Sequence, residues 1–155
     1  CGSQDNSVHF WRRSTGQDAE MTGYPGKPSQ LAFDHTGLLL ATGGSEQITV
    51  WSFQDNGPEG TVPGQLALHN QSISNLAFSH RGMLLASSAK DGSIYVWLLQ
   101  KDGNGDPLGG AFLGDLVSAI AWRPDDCALA AVNSKGGISV WDFRIPTKTS
   151  PKGFS

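Results

Sequence analysis

Cysteine, basic residues and long apolar runs are all scarce in this sequence. The 155 residues include only two cysteines, which argues against a disulfide framework. The 11 Lys and Arg side chains are outnumbered by 14 Asp and Glu, so a net charge of -3 offers no basic footprint for nucleic acid. No run approaches the roughly 20 apolar residues of a membrane-spanning helix. We therefore predict no nucleic-acid partner, no membrane partner and a cytoplasmic location.

An internal repeat is the main feature that the sequence does have. Three copies begin at Leu31, Leu76 and Ile120, and they read LAFDHTGLLLATGGSEQITVWSF, LAFSHRGMLLASSAKDGSIYVWLL and IAWRPDDCALAAVNSKGGISVWDF. Four of the five tryptophans hold one repeat position at successive spacings of 40, 46 and 44 residues: Trp11, Trp51, Trp97 and Trp141. A period of about 40 to 45 residues is typical of a β-propeller blade.

The strand pattern within the repeat supports the same fold. In KDGSIYVWLL, residues 90–99, Ile94 and Val96 point to one side of a strand and Tyr95 and Trp97 to the other. Both sides are apolar, so both need cover. Stacked blades provide that cover, because each sheet packs face to face on its two neighbours. We predict an all-β fold, a β-propeller of four-stranded antiparallel blades that is incomplete at about three and a half blades.

The repeat register divides the chain into segments. Residues 1–28 are predicted to hold the third and fourth strands of a truncated blade, residues 29–71 and 72–115 a blade each, and residues 116–144 a last blade of three strands. The register places Cys1 inside a second strand, and residues 145–155 read as a polar C-terminal tail. A mature lipoprotein anchored through Cys1 is the weaker alternative. Cys1 and Cys127 take strand positions in the repeat, so buried reduced thiols are expected.

At these residues the sequence resembles the WD-repeat (WD40) family. The dipeptide that names the family survives as Trp141-Asp142. The resemblance implies a structural tetrad, an imidazole held by a hydroxyl, a carboxylate and an indole, which one blade matches fully with His69, Ser87, Asp91 and Trp97. The blade ending at Trp51 keeps Thr42 but has Glu46 in the turn and no matching His, and the last blade has Ala131 and Gly136 at the polar positions.

The resemblance also implies how the chain is completed. A last blade in this family usually takes its fourth strand from the protein's own N-terminus, so we interpret the chain as the C-terminal fragment of a larger propeller. The blades at the two ends would then each expose an apolar face, and such faces normally mark an interface. The expected partners are the missing propeller half or a second copy of the chain, with an unidentified protein partner besides.

No catalytic, metal or cofactor site emerges from the pattern. His35 and His80 occupy equivalent turns, but such turns on face-packed sheets lie at least about 10 Å apart, too far to share a zinc ion. Paired glycines lie between strands and not before a helix, so a phosphate loop is not predicted. No nucleophile and base come together in the repeat register. We expect no enzyme activity, no catalytic residue, no metal and no cofactor.

Two function classes remain after these exclusions. The favoured one is a non-catalytic protein–protein interaction scaffold. The alternative is a structural propeller segment that supports a catalytic or signalling domain encoded upstream of Cys1. The loops before the first strand and between the second and third strands of each blade should share one rim. That rim is the candidate partner site, and it consists of Gln30, Glu46, Asn75, Lys90, Ala119 and Lys135.

Overall fold

The fold is built entirely from β-strands in the part of the chain that the computed structural model describes, residues 7–11, 16, 18–22, 27–53 and 62–142. These residues form 13 strands. In chain order they are β1 Val8–Trp11, β2 Asp18–Met21, β3 Gln30–Phe33, β4 Leu39–Gly43, β5 Ile48–Ser52, β6 Gly64–Leu66, β7 Ile73–Phe78, β8 Leu84–Ala89, β9 Ser93–Leu99, β10 Gly105–Phe112, β11 Val117–Trp122, β12 Ala128–Asn133 and β13 Ile138–Asp142.

Consecutive strands pair into four antiparallel sheets. The first sheet holds β1 and β2, the second holds β3 to β6, the third holds β7 to β10, and the last sheet holds β11 to β13. Every sheet is a meander, because each strand pairs with the next one along the chain. The predicted all-β architecture of antiparallel propeller blades is therefore confirmed. The predictions for Cys1 and for the tail at 145–155 lie outside the described residues.

Short turns reverse the meander, and the shortest of the described turns, between β8 and β9, consists of residues 90–92. In the turn between β8 and β9, Gly92 has a φ of +90°, a left-handed conformation that side chains rarely adopt. A Cβ atom on Gly92 would also lie 2.6 Å from the backbone oxygen of Asp115, in the connection from β10 to β11. The Asp91-Gly92 pair thus serves both the reversal of the chain and the close approach of the segment that connects β10 to β11.

The hydrophobic core consists of layers between neighbouring sheets. Leu39 and Val50 of the second sheet pack with Leu85 and Trp97 of the third. On its other face, the third sheet buries Leu84, Ala86, Ile94 and Val96 against Val117, Trp122, Leu129 and Ala131 of the last sheet. A smaller layer joins Val8 and Met21 to Leu40 and Trp51. Alternate residues of β9 therefore enter two different cores, which explains why that strand is apolar on both sides.

Hydrogen bonds also connect the third sheet to the last sheet. The carboxylate of Asp126 accepts from the backbone N–H groups of His80 and Arg81, at 2.6 and 2.7 Å. The indole N–H of Trp122 donates to the backbone oxygen of Ala77 at 3.0 Å. Asp126 adopts a φ of 61°, which is uncommon for a residue other than glycine. These bonds fix how the two sheets sit on each other.

The prediction of a buried Cys127 is wrong. Its thiol is free and exposed. Cys127 lies in the turn just before β12 and not within the strand, and its sulfur lies 3.5 Å from the backbone oxygen of Asp125. Met83, at the equivalent position, is long enough to reach the core between the second and third sheets, whereas the shorter Cys side chain stays at the surface.

Candidate functional site

A buried histidine lies at the centre of the candidate site. His69 follows β6 in the connection to β7, and its side chain is buried in the protein. Its Nε2 atom lies 2.8 Å from the hydroxyl oxygen of Ser87, and its Nδ1 atom lies 2.7 Å from that of Ser93. The ring also packs edge-on against Tyr95, with ring centroids 4.9 Å apart. Both ring nitrogens of His69 therefore have partners within the protein.

Two further side chains complete the network at its ends. The indole N–H of Trp97 donates to the Ser87 hydroxyl at 2.9 Å. The Ser93 hydroxyl donates to Oδ1 of Asp91 at 2.6 Å, and the Ser93 backbone N–H donates to the same atom at 3.0 Å. We name these five residues the His69 network: His69, Ser87, Asp91, Ser93 and Trp97.

The donors and acceptors of the His69 network run in one direction. Ser87 accepts from Trp97, so its own proton points to Nε2 of His69. Ser93 gives its proton to Asp91, so it accepts a proton from Nδ1 of His69. This assignment makes the imidazole neutral, with its proton on Nδ1. Each buried group then has a partner, and such a network stiffens the sheet that carries it.

The geometry corrects one point of the predicted tetrad. The imidazole bonds to two hydroxyl groups, and Ser93 stands between it and the Asp91 carboxylate. Ser93 was missed because the four-residue pattern does not include it. A local signal was available, since an Asp whose side chain accepts from the residue two positions later is a standard turn motif. The other four residues are joined in the order Trp97, Ser87, His69 and then, through Ser93, Asp91.

The titration of these groups follows from their surroundings. Burial lowers the pKa of His69 to about 4, against the partial opposing effect of the Asp91 charge. Burial by itself would raise the pKa of Asp91, but the bonds from the hydroxyl and N–H of Ser93, with a contribution from His69, lower that pKa overall. His69 is thus neutral and Asp91 ionised near pH 7. Both nitrogens of the neutral imidazole are thus bonded to serine hydroxyls, Nε2 to Ser87 and Nδ1 to Ser93.

The second and last sheets have only part of the predicted tetrad, and the residues at its positions have other roles. In the second sheet the Thr42 hydroxyl donates to the backbone oxygen of Thr49 at 3.2 Å, while Glu46 is exposed in its turn. In the last sheet Ala131 is buried in the core, and Gly136 has a φ of +86°. The Trp141 ring packs partly buried against that core.

Asp91→Ala should lower the free energy of unfolding by about 1 to 3 kcal/mol, because the Ser93 hydroxyl and N–H lose their acceptor in a partly buried place. Glu46→Ala, at the matching turn of the second sheet, removes an exposed carboxylate and should cost clearly less. Urea denaturation of the two variants measures the difference. Equal losses would mean that the network contributes no more than an exposed turn does.

The candidate rim divides into loop residues and strand residues. Glu46, Lys90 and Lys135 are exposed in the turns between the second and third strands of their sheets, residues 44–47, 90–92 and 134–137. Alternation of antiparallel strands puts these turns at one end of the sheets, and we name them the upper rim. Three other predicted positions lie within strands: Gln30 in β3, Asn75 in β7 and Ala119 in β11.

The strand positions of the predicted rim have other roles. The side-chain amide of Asn75 donates to the backbone oxygen of Val117 at 2.9 Å, so it joins the third sheet to the last. Gln30 is half-buried beside Gly43, its partner on β4. Ala119 is exposed on a face of the last sheet. Among the six predicted rim positions, the charged side chains are therefore all in the turns, and all three are exposed.

The histidine turns lie at the opposite end of the sheets. His35 and His80 are exposed in the turns between first and second strands, and Nε2 of His80 lies 3.3 Å from the backbone oxygen of Trp122. Within the described residues, no group of three or more His, Cys, Asp or Glu side chains could hold a metal ion. That part of the chain also has no helix with the length and apolar character needed to cross a membrane.

Comparisons with known proteins agree with this geometry. Residues 60–97, which include all five residues of the His69 network, match the family model described as WD domain, G-beta repeat. Two solved structures cover 92% of this chain with a TM-score of 0.73 and 19% sequence identity: the structure of U3-55K and the crystal structure of RRP9 WD40 repeats. The chain covers 44% and 43% of those structures, so it spans less than half of their length.

A search of curated proteins finds no match to the chain. At 19% identity, the solved structures establish the fold and leave the partners of this chain undetermined. Three observations support the same fold: the family match of residues 60–97, the repeated antiparallel sheets, and the bonds that join Trp97, Ser87 and His69. Residues 60–97 match a WD repeat, and the described chain has the fold of part of a WD40 β-propeller.

Proposed function

We propose that the chain is a non-catalytic protein–protein interaction scaffold that binds a partner through its upper rim. The observation that carries the proposal is the upper rim itself, where rigid turns from three neighbouring sheets expose Glu46, Lys90 and Lys135 at one end of the fold. WD40 propellers as a class support the same role by their fold, although fold alone does not determine function.

Backbone hydrogen bonds hold the three turns of the upper rim in place. The N–H of Ile73 donates to the oxygen of Ser45 at 3.0 Å, so the turn of the second sheet is bonded to the third. The N–H of Lys90 donates to the oxygen of Ser72 at 3.0 Å, and that of Ser134 to Leu116 at 2.8 Å. A binding surface on fixed backbone loses little conformational entropy when a partner docks, which favours a scaffold role.

The charges of the upper rim indicate the type of contact. The Nζ atom of Lys135 lies 3.4 Å from Oδ2 of Asp115, and the lysine side chain remains largely exposed. Beside Glu46 an open groove of about 640 Å³ runs between the turn at 45–47 and the segment 67–70, and Leu68 is exposed in its wall. Mixed charges around a small apolar wall suit the binding of a polar protein surface. The affinity of such a contact should fall when salt is added.

A double charge reversal, Lys90→Glu with Lys135→Glu, tests the upper rim. We expect loss of the specific partner in an affinity pulldown with only a small fall in melting temperature, because both side chains are exposed on turns and a largely exposed ion pair such as Lys135–Asp115 contributes at most about 1 kcal/mol. Arg81→Glu with Lys101→Glu is the matched control, since it makes the same change in net charge on exposed turns at the opposite end of the sheets.

Two outcomes of this experiment would contradict the proposal. An unaltered partner list in the Lys90 and Lys135 variant would remove the upper rim as the binding site. Equal loss of partners in the control variant would show that overall charge, and not the rim, governs the interaction.

A cytoplasmic location is part of the same proposal. Cys127 is a free and exposed thiol, and reducing compartments keep such thiols unpaired. Fractionation of cells that express the tagged protein tests the location, and recovery in a secreted or membrane fraction would contradict it.

A further inference from the structure

A groove opens on the upper rim where the third and fourth strands of the second sheet separate. Pairing between β5 and β6 ends at Ile48 and Leu66, whereas the equivalent pairing of β9 with β10 runs one pair closer to the turn. After Leu66 the chain leaves the second sheet and carries the buried side chain of His69 into the third. We name the opening between the segments 45–47 and 67–70 the rim groove, and its volume is about 640 Å³.

Bonds to the third sheet hold both walls of the rim groove. On one wall, the backbone oxygen of Ser45 accepts from the N–H of Ile73 at 3.0 Å. On the other wall, the His69 ring is bonded to the hydroxyls of Ser87 and Ser93. The two walls are therefore held in place independently of any ligand, and a cleft with fixed walls loses little conformational entropy when it is filled. Its volume lies within the range of about 300 to 1,000 Å³ that is typical of ligand-binding clefts.

The formal charge inside the rim groove is negative. Among the described residues that line it, Glu46 is the one with a charge, because His69 is buried and neutral with a pKa of about 4. Glu46 is exposed, and no hydrogen bond or ion pair within the described part of the chain engages its carboxylate. At the matching turn of the third sheet, Asp91 instead accepts from the hydroxyl and N–H of Ser93. The Glu46 carboxylate is thus available to a cation from another molecule.

The other residues of the lining favour a ligand that donates hydrogen bonds and has an apolar stem. Ser45, Gln47 and Asn70 each have a side-chain oxygen that can accept a hydrogen bond. Leu68 is 42% exposed and adds apolar surface to the wall. A guanidinium has five N–H donors and no acceptor, and the methylene groups of an arginine side chain cover apolar surface beside it. One carboxylate, several oxygens and a leucine together match an arginine side chain.

We infer that the rim groove binds an arginine side chain of the partner protein, with the guanidinium on the Glu46 carboxylate and the methylene stem along Leu68. This inference rests on the proposed function and deepens it, because it names the chemical group that the upper rim recognises. Arginine is preferred to lysine, since a planar guanidinium makes two parallel bonds to one carboxylate, whereas an ammonium is a strongly hydrated point charge. Lys90 and Lys135 on the neighbouring turns would attract acidic residues of the same partner.

An NMR titration of the nitrogen-15-labelled 155-residue chain with the tripeptide acetyl-Ala-Arg-Ala-amide tests the inference. We expect the backbone N–H signals of Glu46, Gln47, Leu68 and Asn70 to shift, because these residues line the groove. The same tripeptide with citrulline, which keeps the shape and lacks the charge, should bind about tenfold or more weakly. The lysine tripeptide should bind several-fold more weakly than the arginine tripeptide.

A pair of matched variants assigns the binding to Glu46. Glu46→Gln keeps the size of the side chain and removes its charge, so the dissociation constant of the arginine tripeptide should rise about tenfold or more. Asp106→Asn is the control, because it removes one carboxylate from an exposed position of β10 that does not line the groove, and the affinity should stay unchanged. The spectra of the variants also show whether each one is folded.

Several results would overturn the inference. These are no binding of the arginine tripeptide, signal shifts that fall outside the rim groove, and a citrulline or lysine tripeptide that binds as tightly as the arginine one. Equal affinities of Glu46→Gln and Asp106→Asn for the arginine tripeptide would overturn it as well. Because the titration contains no partner protein, its failure leaves the pulldown with the Lys90 and Lys135 variant unaffected, so the two proposals fail separately.

Discussion

Ser87→Ala should lower the free energy of unfolding by about 2 to 6 kcal/mol. The Ser87 hydroxyl is fully buried, and it bonds both Nε2 of His69 and the indole N–H of Trp97. Its removal leaves two buried polar groups without a partner, and each such group costs about 1 to 3 kcal/mol. Urea denaturation followed by tryptophan fluorescence measures the loss.

The neighbouring Ser88 provides a matched control for this result. Ser88 is equally buried on the same strand. Its hydroxyl bonds the Ser74 hydroxyl at 3.0 Å, and Ser74 itself is partly exposed. Ser88→Ala should therefore cost about 1 kcal/mol. Ser87→Thr should retain most of the stability, because the hydroxyl is kept and the second sheet has Thr42 at the equivalent position. Equal losses for the two alanine variants would show that the His69 network contributes nothing beyond ordinary buried hydroxyls.

The sheets could be predicted from the sequence because the information that specifies them is local. Strand side chains alternate with a period of two, so the apolar residues on both sides of β9 indicated two buried faces, and the clusters on its two sides contain Trp97 and Ile94. The spacing of the repeat then fixed the number of sheets. Both signals depend only on residues close to each other along the chain, and such signals survive in a single sequence.

Contacts between sheets were harder to predict because they depend on the depth and direction of individual side chains. Asn75 was placed on the rim by the repeat register, yet its amide reaches the backbone oxygen of Val117 in the next sheet. Cys127 was expected in the core from its equivalence to Met83, yet repeat equivalence transfers burial reliably only within strands, and Cys127 lies in a turn. The role of Ser93 depends on the orientation of the Asp91 side chain, which a four-residue pattern does not describe.

Acidification should destabilise the protein through His69 before it affects the carboxylates. In the unfolded chain the pKa of His69 has its ordinary value of 6.5, and in the folded protein burial lowers that pKa to about 4. Between these values the unfolded state binds more protons than the folded state, so stability rises with pH in this window. The contribution of neutral His69 is complete above pH 6.5 and is lost as the pH falls toward 4, with a total of about 3 kcal/mol.

Chemical denaturation at intervals from pH 7.5 to pH 4.5 measures this slope. Asp34, Asp91 and Asp125 have lowered pKa values, so they stay ionised through the window and should add little to the slope. His69→Gln should flatten the curve because it removes the group that takes up the proton, while His35→Gln, at an exposed turn, should leave the wild-type slope unchanged. A wild-type slope retained in His69→Gln would assign the proton uptake to other groups and would contradict a neutral imidazole at the centre of the network.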